Sequence, residues 1–564
     1  GAGYGGNGGI GSQGVPGVTY GSVTQPTDMG SSSSLNGGGS IKLSTTNNLT
    51  IAGTVRANGS CTAGNGCGSG GSVWLNAVGT LSGAGTVSAN GGSAFGGGGG
   101  GRVAVYYATD SSTITFQSYG GTGNYGNGGA GTIYKKAAAA ANGNLIINNN
   151  NVNGANTTQV ATASQTYDNI DIRNQGKYVI PSGFTTTIIS GGTLTGSSGS
   201  GGSITVNSGG TFVPPGATFT LNGVNIANNG TVTTVTDLTV TNATYNGTGT
   251  LSPGLNALTV GAGGTFTKSG TSTLVLSGNL VVQNTGILNH TANTTTRSHV
   301  LDISAATIDI QSGGTVTANS LGFSAGTGTG FGSGSTGGSY GGSGGTGASG
   351  TVGSVYGSVT APTDIGSGGG SGAGGGAIKL VSSGTFSFAG TISANGRTSS
   401  NSNGSGGSIW IQAGTTLSGT GGTITANGGT VGAEGGGGGG GRIAVYYTTD
   451  TSTITYQAYG LTGNYGYAGA GTIYKKAAGA TNGDLIINNN NVNGSNTTQV
   501  TTASQTYDNV DIRNQGKYVI PSGFTLVIAS GGTLTGSSGS GGSITVNSGG
   551  IFTPSGATFT LNGV

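Results

Sequence analysis

Charge is nearly missing from this chain. Of its 564 residues, 16 are Lys or Arg and 13 are Asp or Glu, where an ordinary domain carries roughly 25 % charged residues. A net charge of +3 with no basic stripe excludes nucleic-acid binding by counterion release and attachment to anionic lipid through clustered Lys or Arg. Proline is scarce, at nine residues, and glycine does not recur at every third position, so collagen is excluded. Long apolar runs are absent as well. The longest are pieces such as Val103-Ala-Val-Tyr-Tyr-Ala108, far short of the roughly 18 residues of a membrane helix, and no membrane-spanning segment is expected. With 32 % hydrophobic residues the chain is also too apolar for charge-driven disorder.

Residues that carry chemistry are equally thin. The single glutamate is Glu434, and the aspartates are scattered; the densest group, Tyr167-Asp-Asn-Ile-Asp171-Ile-Arg173, returns as Tyr507-Asp-Asn-Val-Asp511-Ile-Arg513. Asp171 and Arg173 fall on one face of a strand and read as a structural pair rather than a catalytic or calcium site. His290 and His299 have no acid at suggestive spacing. Gly96 to Gly101 and Gly435 to Gly441 lack the following Lys-Ser/Thr of a phosphate loop; polyglycine-II-like strands and plain loops both stay open for them. No enzyme activity and no cofactor is expected. Cys61 and Cys67 can close a small loop as a disulfide or remain free thiols. The disulfide is the expectation, and with it an oxidising, extracellular location. Sequons at Asn156, Asn242, Asn246, Asn293 and Asn496 are candidate glycosylation sites.

What is present is glycine, 129 residues, organised by repeats on two scales. Tyr20-Gly-Ser-Val-Thr-Gln-Pro-Thr-Asp28 returns as Tyr356-Gly-Ser-Val-Thr-Ala-Pro-Thr-Asp364, and Ser190 to Gly210 is identical to Ser530 to Gly550. The blocks are 1–136 (Gly-rich, copy 1), 137–224 (Asn/Thr-rich, copy 1), 225–336 (tighter coils, single), 337–476 (Gly-rich, copy 2) and 477–564 (Asn/Thr-rich, copy 2). Because Val564 aligns with Val224, which runs on into Asn225, the expectation is a stretch of a longer array whose secretion leader lies elsewhere.

The finer repeat is about 30 residues: Gly-Gly-x-[Ile/Val]-x-[Leu/Val], then Gly-Thr-Val-x-Ala-Asn-Gly, then a Gly-rich segment. Two short strands cannot bury a face alone, so equivalent units must stack. Ile41, Val73, Val103 and Ile133 are predicted to form one inward ladder, and Ile378, Ile409, Ile443 and Ile473 another. Stacking also disfavours charge, which would repeat like on like at about 5 Å. The fold class is therefore all-β: a parallel β-solenoid (β-helix) with Gly-rich loops, internally duplicated. Asn148 to Asn151, repeated as Asn488 to Asn491, are a candidate amide ladder or a plain surface turn.

Motifs such as Gly-Arg102-Val-Ala-Val-Tyr-Tyr107, Gly-Ala-Gly-Thr-Ile133-Tyr134 and Asn-Gly-Thr-Val-Thr-Thr-Val-Thr236 resemble those of very large secreted bacterial Gly/Ser/Thr/Asn-rich repeat proteins, including adhesin-like and autotransporter-passenger-like β-helices. The resemblance lies in composition and rhythm. It implies surface exposure, adhesion or scaffolding, and it assigns no functional residue. One step along each strand from the inward ladder stand Lys42, Trp74, Ala104 and Tyr134, with Lys379, Trp410, Ala444 and Tyr474 in the second copy. If exposed, Lys42, Trp74, Tyr134, Lys379, Trp410 and Tyr474 would suit stacking on sugar rings; otherwise the aromatics shield a Gly-rich segment. The expected partners are further copies of the chain, end to end or laterally, and surface polysaccharide.

Overall fold

The computed structural model describes residues 1–564 except 12–13, 63, 65, 155, 160–163, 197–200, 234, 252–253, 431–434, 537–540 and 557–562. Glu434 and Thr234 thus lie outside the described residues. Every regular element described is a strand, and nearly all pair in parallel as a β-solenoid. The chain forms two compact units, Gly1–Leu255 and Asn256–Val564.

In the first unit, Ser40–Thr45, Ser72–Ser82, Arg102–Asp110 and Thr132–Ala137 stack in parallel, seating Ile41 on Val73, Val73 on Val103 and Val103 on Ile133. A second wall stacks Thr54–Arg56, Thr86–Ser88 and Thr115–Gln117. Val73, Leu75, Val103 and Val105 meet Val87 in the core between them, each buried aliphatic side chain contributing about 1.5–3 kcal/mol. Alternation of apolar and small polar residues sends every second side chain inward. The second unit repeats this: Ile378, Ile409, Ile443 and Ile473 form one continuous ladder. Leu280, Ile308 and Phe386 line a second wall, and Leu288, Val316, Ile392 and Ile424 a third.

One feature departs from uniform parallel stacking. Thr132–Ala137 and Asn144–Asn148 pair antiparallel, Ile133 facing Ile146, after which Asn144–Asn148 stacks in parallel on Ser164–Arg173. Thr472–Ala477 and Asp484–Asn488 do the same, with Ile473 facing Ile486. The connections, 138–143 and 478–483, are too short to carry the chain around a coil, which is what a parallel partner requires. Strand direction on this wall therefore reverses once in each copy.

The Gly-rich segments are not loose loops. Backbone N–H groups of Gly97 and Gly100 donate to Gly126 and Gly129, those of Gly98 and Gly101 to Gly92 and Ala89, and that of Gly99 to Ala2. In the second copy, Gly436 and Gly439 donate to Ser335 and Gly338, Gly437 and Gly440 to Gly466 and Gly469, and Gly438 and Gly441 to Gly429 and Ala426. Donation to the same neighbour every third residue marks a three-fold extended helix of the polyproline II type. Chains packed this way have no room for side chains: a Cβ on Gly98 would collide with the Gly68 carbonyl, and one on Gly99 with that of Gly6. Each unit thus holds a second, side-chain-free core beside its aliphatic one.

The Ala-Asn-Gly corners explain themselves in the same terms. Asn58 Oδ1 accepts from the Asn90 N–H, and Asn90 Oδ1 from the Tyr119 N–H, both at 2.8 Å. In the second unit Asn319, Asn395 and Asn427 Oδ1 accept in turn from the N–H groups of Asn395, Asn427 and Tyr459 at 2.7–2.8 Å. An asparagine ladder therefore runs at these corners, and the Asn148 to Asn151 segment adds one amide rung, Asn148 Oδ1 accepting from Asn174 Nδ2 as Asn488 Oδ1 does from Asn514 Nδ2, both at 3.1 Å. Asn150 and Asn151, like Asn490 and Asn491, instead take positive φ values of 48–62° in a turn, a conformation Asn tolerates better than most residues.

Candidate functional site

The residues singled out as an outward platform are stacked as expected: Lys42 on Trp74, Trp74 on Ala104, Ala104 on Tyr134, and likewise Lys379, Trp410, Ala444 and Tyr474. The exposure expected of them is not uniform. Tyr134 and Tyr474 are only 4 % exposed and Ala104 and Ala444 are fully buried, so these two tyrosines offer no ring to a ligand. Tyr134 packs against Tyr106 and Tyr167 and closes over Gly143. Burial raises its pKa to about 12. Trp74 and Trp410 are half-buried, and Lys42 Nζ already lies 3.8 Å from the centre of the Trp74 ring; the corresponding distance for Lys379 is 5.1 Å.

A strap crosses this face. Tyr20 to Asp28 in copy 1 and Tyr356 to Asp364 in copy 2 run over the wall, held by Tyr106 Oη donating to Thr24 O and Tyr446 Oη to Thr360 O, both 2.7 Å. Their main clamp is an arginine that sequence reasoning passed over. Arg102 is fully buried; its Nε and Nη2 donate to Tyr20 O at 2.9 and 2.7 Å, and its Nη1 to Thr132 Oγ1 at 3.2 Å. Arg442 repeats the set on Tyr356 O and Thr472 Oγ1 at 2.8–3.1 Å. The guanidinium groups lie 5.5 Å from the ring centres of Tyr4 and Tyr340. Desolvation lowers both arginine pKa values, partly countered by the surrounding tyrosines. The signal was available: Arg recurs in Gly-Arg-[Val/Ile]-Ala-Val-Tyr-Tyr at a position one step out of phase with the inward aliphatics.

Asp171 and Arg173 form an ion pair at 3.5 Å, and Asp511 and Arg513 at 3.4 Å. Burial raises the pKa of both aspartates despite the adjacent arginine. His290 is buried, its Nδ1 2.8 Å from Thr291 O, its Nε2 without a hydrogen-bond partner. Burial pushes its pKa down to about 4. Beside it, Lys268 donates to Gly270 O and Val300 O, and His299 Nδ1 accepts from Gly270 N–H. Among the described residues no three His, Cys, Asp or Glu side chains come together to hold a metal ion.

Cys61 and Cys67 are joined by a disulfide, with Cα atoms 4.8 Å apart. Of the sequons, Asn242 and Asn246 are exposed. Asn156 and Asn496 donate to Asn127 O and Tyr467 O. Asn293 is a correction: it is buried, its Nδ2 donates to His299 O and Leu321 O, and its Oδ1 accepts from Ser298 and His299 N–H groups. It is a structural clamp, closed to a glycan in the folded chain. Among the described residues the tyrosine rings that stand in solvent are Tyr125, Tyr465 and Tyr467, at 57 %, 59 % and 42 % exposure, and Phe331 is 42 % exposed as well. Tyr465 and Tyr467 line a groove of about 300 Å³ with Thr346, Asn464 and Ser495.

The chain matches no family model and no curated protein. Among solved structures it is similar to the crystal structure of the TibC-catalyzed hyper-glycosylated TibA55-350 fragment, at 16 % identity over 71 % of this chain and 92 % of that one. The TM-score is 0.19, too low for this likeness to bear on function.

Proposed function

We propose that this chain is a non-enzymatic segment of an extracellular, cell-surface fibre, built for stiffness and for weak multivalent adhesion. The observation that carries the reading is the stacking of aliphatic on aliphatic at the inward positions, coil after coil, in both units. Backbone hydrogen bonds then run along the stack, and each coil adds about 4.8 Å. Such a shaft resists extension through many bonds loaded together, while a hydroxyl-rich exterior repeats the same weak contact many times. Oriented native material is expected to give a 4.8 Å axial reflection; its absence overturns the shaft.

The adhesive contact belongs at Tyr465 and Tyr467, with Tyr125 in the first copy, because their rings are open where Tyr134 and Tyr474 are closed and Trp74 is already covered by Lys42. Exposed phenol rings beside amide and hydroxyl groups suit the apolar and polar faces of a sugar. Replacing Tyr465 and Tyr467 by alanine is expected to lower retention on polysaccharide-coated surfaces at least about fivefold at multivalent density. The substitutions Trp74→Ala plus Trp410→Ala should change it little. The reverse ranking returns the platform to the tryptophans, and no effect from either removes the glycan reading.

A further inference from the structure

The internal duplication allows an edge in one copy to be compared with its counterpart in the other. Ser40–Thr45 pairs with Ser72–Ser82 on one side, and no described strand pairs with its other side. Its counterpart Ala377–Ser382 is paired on both sides, to Ser408–Ala413 and to Leu301–Ala305. Thr54–Arg56 is likewise an end strand, whereas Thr391–Ser393 also carries Thr315–Thr317. Burial follows: Leu43 is 37 % exposed, and its counterpart Leu380 is 0 % exposed. Charge follows too, since Lys379 Nζ lies 3.5 Å from Asp302.

We propose that the edge formed by Ser40–Thr45, Leu49–Thr50 and Thr54–Arg56 is a docking surface for one further β-coil of the sequence type of residues 301–317. The register is specified by the second copy. Leu301 sits on Ile378, Asp302 on Lys379 and Ile303 on Leu380, so the docked strand sets a leucine on Ile41, an aspartate on Lys42 and an isoleucine on Leu43. Its second strand places isoleucines as Ile308 and Ile310 lie on Phe386 and Phe388, here on Leu49 and Ile51. Its third sets a valine on Val55, as Val316 lies on Ile392. The partner is therefore an amphipathic parallel coil with one acid in its first strand. An open strand edge of this kind pairs with whatever matches its pattern, and this pattern is written out in the same chain.

The test places an extra copy of residues 225–336 directly before Gly1, as the native block stands before Gly337, and follows amide hydrogen exchange by mass spectrometry. The outward-facing amides of Ser40–Thr45 are expected to slow by at least about tenfold, toward those of Ala377–Ser382 in the same molecule. Asp302→Lys in the added block alone should partly reverse this at low salt. Unchanged exchange at Ser40–Thr45, an added block that itself stays unprotected, or indifference to Asp302→Lys overturns the proposal. So does protection of Ser40–Thr45 without the block that rises with protein concentration, which would assign the edge to a second copy of the chain. None of these readouts involves polysaccharide, so failure here is separate from failure of the adhesive reading.

Discussion

At the scale of single residues, glycine and histidine carry the sharpest consequences. Gly438 donates to Gly429 O inside the three-fold bundle, and a Cβ there would collide with the Gly404 carbonyl. Backbone cannot yield as a side chain can, so Gly438→Ala is expected to destabilise the second unit by more than about 3 kcal/mol, read as a lowered denaturant midpoint. Gly479, with open space around it, should accept alanine with a change under about 1 kcal/mol. His290 sets a pH dependence. Its pKa is lowered from 6.5 to about 4 by burial, so the unfolded chain takes the proton more readily than the folded one. The stability gained from a neutral His290 is complete above pH 6.5 and is lost as pH falls toward 4, a difference of about 3 kcal/mol. His290→Leu should flatten the midpoint of the second unit between pH 7 and 4.5; an unchanged slope refutes this assignment.

At the scale of elements, the strap depends on the buried arginine. Removing the guanidinium of Arg102 leaves Tyr20 O without its two donors and opens space against Tyr4. Arg102→Ala is expected to cost about 3 kcal/mol and to expose the strap, seen as new proteolytic cleavage between Tyr20 and Asp28; Arg102→Lys, lacking the forked geometry, should recover only part. The strap also marks where sequence reasoning stopped. Strand alternation told which of Val73 and Trp74 faces inward, because that depends on period two alone. It could not tell what crosses the outer face, because Thr24 meets Tyr106 from 82 residues away. The choice between polyglycine-II-like strands and loops in the Gly-rich segments stayed open for a different reason. Their order resides in the directions of N–H groups, and a run such as Gly97 to Gly101 has no side chains in which a period of three could be read. The aliphatic ladders were legible because each coil repeats one residue type at one place. The exposed tyrosines were missed because nothing about Tyr465 in sequence distinguishes it from Tyr474.

At the scale of the whole molecule, stability in stacked repeats is the sum of each coil and its contacts with the next. Damage should therefore stay local. Gly98→Ala is expected to speed amide exchange in Arg102–Asp110 and Thr132–Ala137 while leaving Ser543–Val546 at its wild-type rate; loss of protection throughout would mean one cooperative block. The strand reversals at 138–143 and 478–483 bear on how such a chain reaches its fold. Every parallel contact must close a loop of a coil's length, while each antiparallel pair closes one of six residues, at about 1 to 1.5 kcal/mol less entropy. Hairpins form within microseconds, so Ile133 can meet Ile146, and Ile473 meet Ile486, before any coil exists. Each pair offers a free edge on both sides. Assembly can start from two interior points and spread in both directions, and a long array of such copies need not wait for either end.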